Sequence, residues 1–419
     1  MNLVYADRQG KVYDHPDYIA LGRSGEMITE IMEDELIPLP EGATLVSLPF
    51  TKPVYMDPIS DQMKPFSSEY DAVGALLPQG YTRLLLPGYV KTDKSKFMPL
   101  FGYTAVVWKD GQFYVAAQLT DDPYRWDPRN CKVEELEGKV VSFASKYPDN
   151  RLYEHLTKCA LEYECLTASN TFLNRWEGAV PVSNSCNANC HGCISEQPEE
   201  SGFVAPQTRM SFKPTVDEMV QVMLEHLVAP DSIISFGQGC EGEPSTQAVH
   251  IIEAIRRVRL VTSLGYINMN TNAGLTDHIR GIVDAGLNLM RVSTISAMDN
   301  HYNAYYKPRG YTLKNVEKSL LYAADKGVIT SINYLIFPGV TDREEEVEAM
   351  LAFARRTKLK LIQLRNLNID PETYLNLIPK AEGEIYGLKQ MIEIFQQELP
   401  DVVLGSYSRD PISLQDKHN

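Results

Sequence analysis

The chain has 419 residues, 44% of them hydrophobic and 23% charged, which fits a globular protein of two or more domains and not a disordered or fibrous one. Forty basic against 55 acidic residues leave a net charge of −15, which argues against a large nucleic-acid footprint. No stretch reaches the roughly 20 apolar residues that span a bilayer, and the N-terminus lacks the apolar core of a signal peptide. With seven cysteines, an odd number, the expectation is a cytoplasmic protein in a reducing interior.

Residues 1–176 read as a strand-rich α+β domain that covers the mouth of the next domain or recognises substrate. "MNLVYADRQGKVYDH" predicts a hairpin turning near Gly10, and "YTAVVWKDGQFYVAAQL" a second around Asp110-Gly111. The prolines between Pro38 and Pro65 predict loop and short edge strands. A helix is expected over about 149–166, with Leu152, Leu156, Cys159 and Tyr163 on one face.

From residue 177 to 375 short apolar runs alternate with amphipathic stretches. Strands are expected at 178–185, 232–237, 265–272, 288–295, 328–337 and 359–366. Thr215-x-x-Glu218 and Thr341-x-x-Glu344 each predict a helix opened by a capping box. Six such units imply parallel strands with right-handed crossovers: an α/β fold, a partial (β/α)6 TIM-like barrel, with an open parallel sheet as the alternative. Residues 376–419 predict a helix and a strand completing the barrel. Chemistry in such folds collects where strands end and helices begin. Here all six expected strand ends are polar, Gly-rich or cysteine-bearing.

The first strand ends at "SCNANCHGCIS", where Cys186, Cys190 and Cys193 are spaced C-x3-C-x2-C. Three thiolates on one turn suit zinc or an iron–sulfur cluster. Closed structural zinc needs a fourth ligand, for which His191 and Cys240 are candidates. A cubane held by three cysteines leaves one iron open.

This spacing directly after the first barrel strand resembles the radical S-adenosylmethionine (radical SAM) superfamily, as does Gly242-Glu243-Pro244 after the second strand. "MRVSTI" and "LIFPGVTD" resemble the family's fourth and fifth strand endings. The resemblance covers about 180–370. It implies that Cys186, Cys190 and Cys193 ligate a [4Fe-4S] cluster and that Gly242 and Glu243 engage the methionyl amino group of SAM. It also implies that Arg291 and Ser293 contact SAM, with a buried salt bridge the other reading of Arg291. It implies an oxygen-sensitive enzyme that reductively cleaves SAM to a 5′-deoxyadenosyl radical, with electrons from a low-potential donor, a flavodoxin or ferredoxin. Two departures stand out: Gly192 where the family has an aromatic residue, and Glu241 where a glycine is commoner.

Asn270, Asn272 and Asn333 are further candidates for SAM or substrate contact, since amides on barrel strands need partners. Cys240 is the candidate catalytic hydrogen donor; ligation of a second centre and simple packing are its other readings. Cys131, Cys159 and Cys165 read as structural. Arg365, Asn366, Asn368 and Asp370 are placed to grip substrate or to cap the next helix. The substrate expectation is a peptide or protein side chain or a small molecule. The alternative function is a non-catalytic iron–sulfur or zinc-binding protein.

Overall fold

A computed structural model describes residues 1–122, 124–130, 132–197, 204–381, 383–409, 411 and 414. Cys131 therefore lies outside the described residues. Two sheets organise the chain: a 13-stranded antiparallel sheet within residues 2–119 and a parallel sheet of seven strands.

The first predicted hairpin pairs Asn2–Ala6 with Val12–Ser24, and the second pairs Tyr103–Lys109 with Gln112–Leu119. Asp110 and Gly111 take φ of 49° and 81°, the left-handed pair that a tight two-residue hairpin needs. The proline-rich stretch is more regular than expected. Thr51–Asp57 pairs with strands on both sides, and neither Pro53 within it nor Pro65 in a neighbouring strand interrupts it. Three helices follow: Val133–Lys146, which the sequence reading missed, then Arg151–Leu161 and Leu166–Leu173. Leu152, Leu156 and Cys159 are buried along the second, as its periodicity predicts, while Tyr163 falls beyond its end.

The parallel strands are β1 Glu177–Ala179, β2 Ile233–Phe236, β3 Tyr266–Thr271, β4 Leu289–Thr294, β5 Ile329–Ile336, β6 Leu361–Asn366 and β7 Val403–Gly405. They are hydrogen-bonded in chain order, all parallel. β1 is shorter than its apolar run, because "PVSNS" leaves the sheet to begin the cysteine loop. Thr215 and Glu218 form the predicted capping box. Thr341 does not: its helix starts at Glu344, and the Thr341 hydroxyl instead bonds Phe337 N and O at 3.0 and 3.1 Å.

The sheet curls into a barrel wall. β1 and β4 are three strands apart, about 14 Å across a flat sheet. Yet Glu177 of β1 and Arg291 of β4 meet at 2.8 Å inside the wall. Burial opposes ionisation of Glu177, but Arg291 and the hydroxyls of Ser235 and Ser408 outweigh it and hold its pKa below the ordinary glutamate value. This is the fold class expected, with a seventh strand added from the C-terminal segment.

The antiparallel sheet docks on the ends of β5 and β6. Asn366 accepts from Arg83 N at 3.0 Å and donates to Tyr81 O at 3.0 Å. Asp370 caps the helix Pro371–Leu377 through Thr373 N at 3.1 Å and also meets Lys91 Nζ at 3.2 Å and Met98 N at 3.1 Å. Gly102 packs on the Asn368 amide, where an added Cβ would come within 2.8 Å. Of the four polar residues at the end of β6, three thus serve capping or docking.

Glu177→Gln removes the one carboxylate against Arg291 and should cost about 3–5 kcal/mol in urea unfolding at pH 7. The lowered pKa gives the carboxylate a stabilising contribution that is present above 4.5 and lost as pH falls below it. The gap between variant and wild type should therefore narrow at low pH.

Candidate active site at the barrel mouth

The site begins with a loop that has no regular structure of its own. Apart from Cys193 N to Cys190 O at 3.3 Å, residues 185–195 draw their backbone partners from elsewhere. The helix Asp299–Tyr306 ends against them, and its last carbonyls, free of intrahelical partners, accept from the loop. Asn189 N donates to Tyr306 O at 3.0 Å and His191 N to Tyr305 O at 3.1 Å. Arg309 closes the other side: its backbone N donates to Asn187 O and its guanidinium to Cys186 O, both at 2.8 Å.

Cys186, Cys190 and Cys193 are all free thiols in partly buried positions on this loop. Burial pushes the Cys186 and Cys190 thiols up, with neighbouring acid or thiol groups acting in the same direction. Arg209 donates to Cys193 Sγ at 3.4 Å and to Ser195 Oγ at 3.1 Å.

The missing aromatic at position 192 has a spatial substitute. Tyr305 is buried, and a Cβ built on Gly192 would lie 2.1 Å from its hydroxyl. Glycine is required because the tyrosine ring already occupies the space. Burial, with Cys190 and Cys193 nearby, raises the Tyr305 pKa, so the phenol stays protonated. Tyr302, Tyr306 and Tyr311 are buried around it.

Glu241, the second departure, is a clamp. One carboxylate oxygen accepts from Val182 N at 2.7 Å and Ser183 N at 2.9 Å, beyond the end of β1. The other accepts from Gly237 N and Gln238 N, both at 2.8 Å, beyond the end of β2. Burial pushes its pKa up to about 7, with the four N–H donors pulling the other way. The clamp brings the β2 loop against the cysteine loop: Gly242 N donates to Ser183 O at 2.7 Å and Glu243 N to Ser185 O at 2.8 Å. A Cβ on Gly242 would sit 2.1 Å from Ser185 O, so only glycine permits the approach.

Glu243 is buried, and burial raises its pKa. Its side chain accepts from Ser245 N at 3.0 Å, as the N-cap of the short helix Pro244–Gln247. It also accepts from Asn272 N at 2.8 Å and from the Thr271 hydroxyl. Asn272 reaches on to the cysteine loop, donating to Asn187 Oδ1 at 2.6 Å. Glu243 thus both starts this helix and lies at the mouth.

Inside the barrel Arg291 donates to Asn270 at 2.6 Å as well as pairing with Glu177. Ser293 and Asn333 are register partners two residues further along β4 and β5, on the same face as Arg291. Asn333 Oδ1 is buried without a partner, as is Asn187 Nδ2 on the cysteine loop. A cavity of about 630 Å³ opens beside Glu177, Arg291 and Arg365, walled by Trp126 and the helix Leu166–Leu173. Arg365 makes its hydrogen bond to Gln363 at 3.2 Å, and among the described residues no carboxylate pairs with it.

Cys240 does not share this arrangement. Its thiol is buried beside Cys159 and His155 of the helix Arg151–Leu161, where the three ligating atoms lie within 4.8 Å of one another. A hydrogen bond from Cys240, then His155, pulls the Cys159 thiol down to about 5, and the Cys240 thiol is pushed up by the same contact. Sequence reasoning gave Glu241, Tyr305, Arg209 and Arg309 no part in building the site, although the tyrosine-rich stretch 300–311 reads as core packing and loop anchoring. The two departures at 192 and 241 were the signal for the first two; Arg209 and Arg309 left no local signal.

Gly192→Ala should lower the midpoint of thermal unfolding by several degrees and reduce iron retained after anaerobic reconstitution. Adding Tyr305→Phe, which removes the atom that the new methyl meets, should recover part of both.

Residues 180–354 match the family model described as "Radical SAM superfamily". No curated protein matches the chain. The chain is similar to the FeFe-hydrogenase maturase HydG from Carboxydothermus hydrogenoformans, at 15% identity over 68% of this chain and 73% of that one, TM-score 0.39. It is similar to methylornithine synthase (PylB), at 15% identity over 65% and 75%, TM-score 0.37. A third similar structure is Streptococcus suis SuiB bound to S-adenosylmethionine, at 14% identity over 66% and 67%, TM-score 0.39. The stretch 180–354, which holds the cysteine loop and β2 to β5 of the partial barrel, thus matches the radical SAM superfamily, whose cofactors are a [4Fe-4S] cluster and S-adenosylmethionine.

Proposed function

We propose that Cys186, Cys190 and Cys193 hold the [4Fe-4S] cluster and that SAM lies between the cysteine loop and the barrel lumen. The observation that carries this is the cysteine loop itself: three free thiols on one turn, with Gly242-Glu243 drawn against it by backbone hydrogen bonds. The donor set suits the group, since soft thiolates select iron–sulfur centres and three ligands leave one iron open. Two orphaned polar atoms support the placement of SAM. Asn187 Nδ2 offers a donor beside the loop, and Asn333 Oδ1 offers an acceptor in the lumen. When bound, the cluster and SAM supply a 5′-deoxyadenosyl radical that abstracts hydrogen from substrate.

The chain's own residues perform three tasks in this reading. Gly242 and Glu243 receive the methionyl end of SAM, with Asn270, Asn272 and Ser293 lining the path inward. Tyr305 and its neighbouring tyrosines keep water away from the cysteine loop. Arg365 receives substrate in the cavity beside the lumen. Its volume suits a small molecule better than a peptide segment. Arg365, which lines it and which no carboxylate pairs among the described residues, suits a carboxylate or similar anion. Burial and the neighbouring Arg291 lower the Arg365 pKa to about 10, so the group remains cationic at neutral pH. The electron donor is a low-potential carrier such as a flavodoxin or ferredoxin.

Anaerobically reconstituted protein with dithionite and SAM should release methionine and 5′-deoxyadenosine, and Cys186→Ala should abolish both iron binding and release. Colourless, iron-free wild-type protein would overturn the assignment. Arg365→Gln should keep the iron and the slow release seen without substrate. With deuterated small carboxylates, it should lose at least tenfold in deuterium transfer to 5′-deoxyadenosine, read by mass spectrometry; such a loss corresponds to about 1.4 kcal/mol.

A further inference from the structure

Outside the cysteine loop, one buried cluster has the composition and dimensions of a metal site. His155 and Cys159 stand one turn apart on the helix Arg151–Leu161, so both side chains project from the same face. Cys240 reaches them from the loop after β2. The His155 Nε2 to Cys159 Sγ distance is 3.7 Å, and all three ligating atoms lie within 4.8 Å of one another. In a tetrahedral zinc site with Zn–S of about 2.3 Å and Zn–N of about 2.0–2.1 Å, neighbouring ligand atoms are roughly 3.5–3.8 Å apart. Small side-chain rotations bring the trio to that spacing.

The surroundings fit as well. Cys159 and Cys240 are almost fully buried, at 1% and 5% exposure, so the thiols are shielded from solvent. His155 lines an open groove of about 750 Å³ with Lys158, Thr208 and Phe212. That groove is an entry path for an ion and a place for water. The backbones are pinned: Met210 N donates to Cys240 O at 2.9 Å, and Cys165 N to Cys159 O at 3.0 Å. Two thiolates and an imidazole are a soft, nitrogen-containing donor set that zinc prefers over calcium or magnesium.

We propose that His155, Cys159 and Cys240 bind one zinc ion, with water in the fourth position. The ion would tie the helix before the barrel to the loop that carries Glu241 and Glu243. Cys240 would then be a structural ligand and not a hydrogen donor to substrate. Both sulfurs bind as thiolates, any thiol proton still held is released to solvent, and no oxidation state changes.

The test uses the full chain, reconstituted anaerobically with iron and sulfide, incubated with equimolar Zn²⁺, desalted, and analysed for metals by plasma mass spectrometry. Wild type should retain one zinc per chain in addition to its iron. Cys159→Ser and His155→Asn should lose the zinc and keep the iron, whereas Cys186→Ala should lose iron and keep the zinc. Wild type loaded with Co²⁺ should show thiolate-to-cobalt absorption in the near ultraviolet and intense tetrahedral visible bands. The proposal is overturned if wild type retains no zinc, if zinc persists in both variants, or if it departs with Cys186→Ala. A Cys159–Cys240 disulfide in the anaerobic protein would overturn it too. If either variant fails to fold, the cobalt spectrum of wild type decides alone: without thiolate absorption the site does not exist.

Discussion

One carboxylate determines the geometry of the barrel mouth. Glu241 places each of its two oxygens on a pair of backbone N–H groups, one pair beyond the end of β1 and the other beyond β2. Those four donors lie where strands turn into loops and have no sheet partner, so each would carry a desolvation cost if left unpaired. By taking all four, a single buried side chain fixes the distance between the first two loops. The cysteine loop and the Gly242-Glu243 turn can meet through backbone bonds only because that distance is fixed. A glycine at 241 would need to obtain the same connection from water or main chain.

The cysteine loop follows the same principle. It forms neither helix nor strand, yet several of its N–H and carbonyl groups are satisfied by the C-terminus of the helix Asp299–Tyr306 and by Arg309. The loop carries three free thiols within eight positions, on backbone that belongs to no helix or strand. The chain delegates several of the loop's hydrogen bonds to an element more than a hundred residues later. Tyr305 contributes both its carbonyl to His191 and its ring to the space over Gly192. Loop position and local hydrophobicity are therefore controlled by the same residue.

The N-terminal sheet is joined to the barrel by polar contacts at the C-terminal ends of β5 and β6. Arg83 is fully buried there, donating to Phe101 O and Leu367 O. These contacts place the sheet beside the C-terminal ends of β5 and β6. Among the described residues, no helix is long and apolar enough to cross a membrane.

Much of this was legible in the residue order. The alternation of apolar runs and amphipathic stretches gave six strands in their observed parallel order, because hydrophobic period is a local property. The C-x3-C-x2-C spacing and Gly242-Glu243-Pro244 marked the loops that meet. The Thr341 box failed because its hydroxyl found a nearer acceptor in the Phe337 turn. Three things required tertiary structure. Arg291 had two even readings, and only the curl of the sheet, which brings β1 to β4, makes it a buried partner of Glu177. Asn366, Asn368 and Asp370 read as ligand or cap until the N-terminal sheet was placed on them. The direction of the Cys240 thiol, toward a helix eighty residues earlier, depends on how two distant segments pack. Sequence by itself determined the strand order, the candidate residues and their local frame; packing decided which of them face each other, since side-chain direction at a loop is set by neighbours that are remote along the chain.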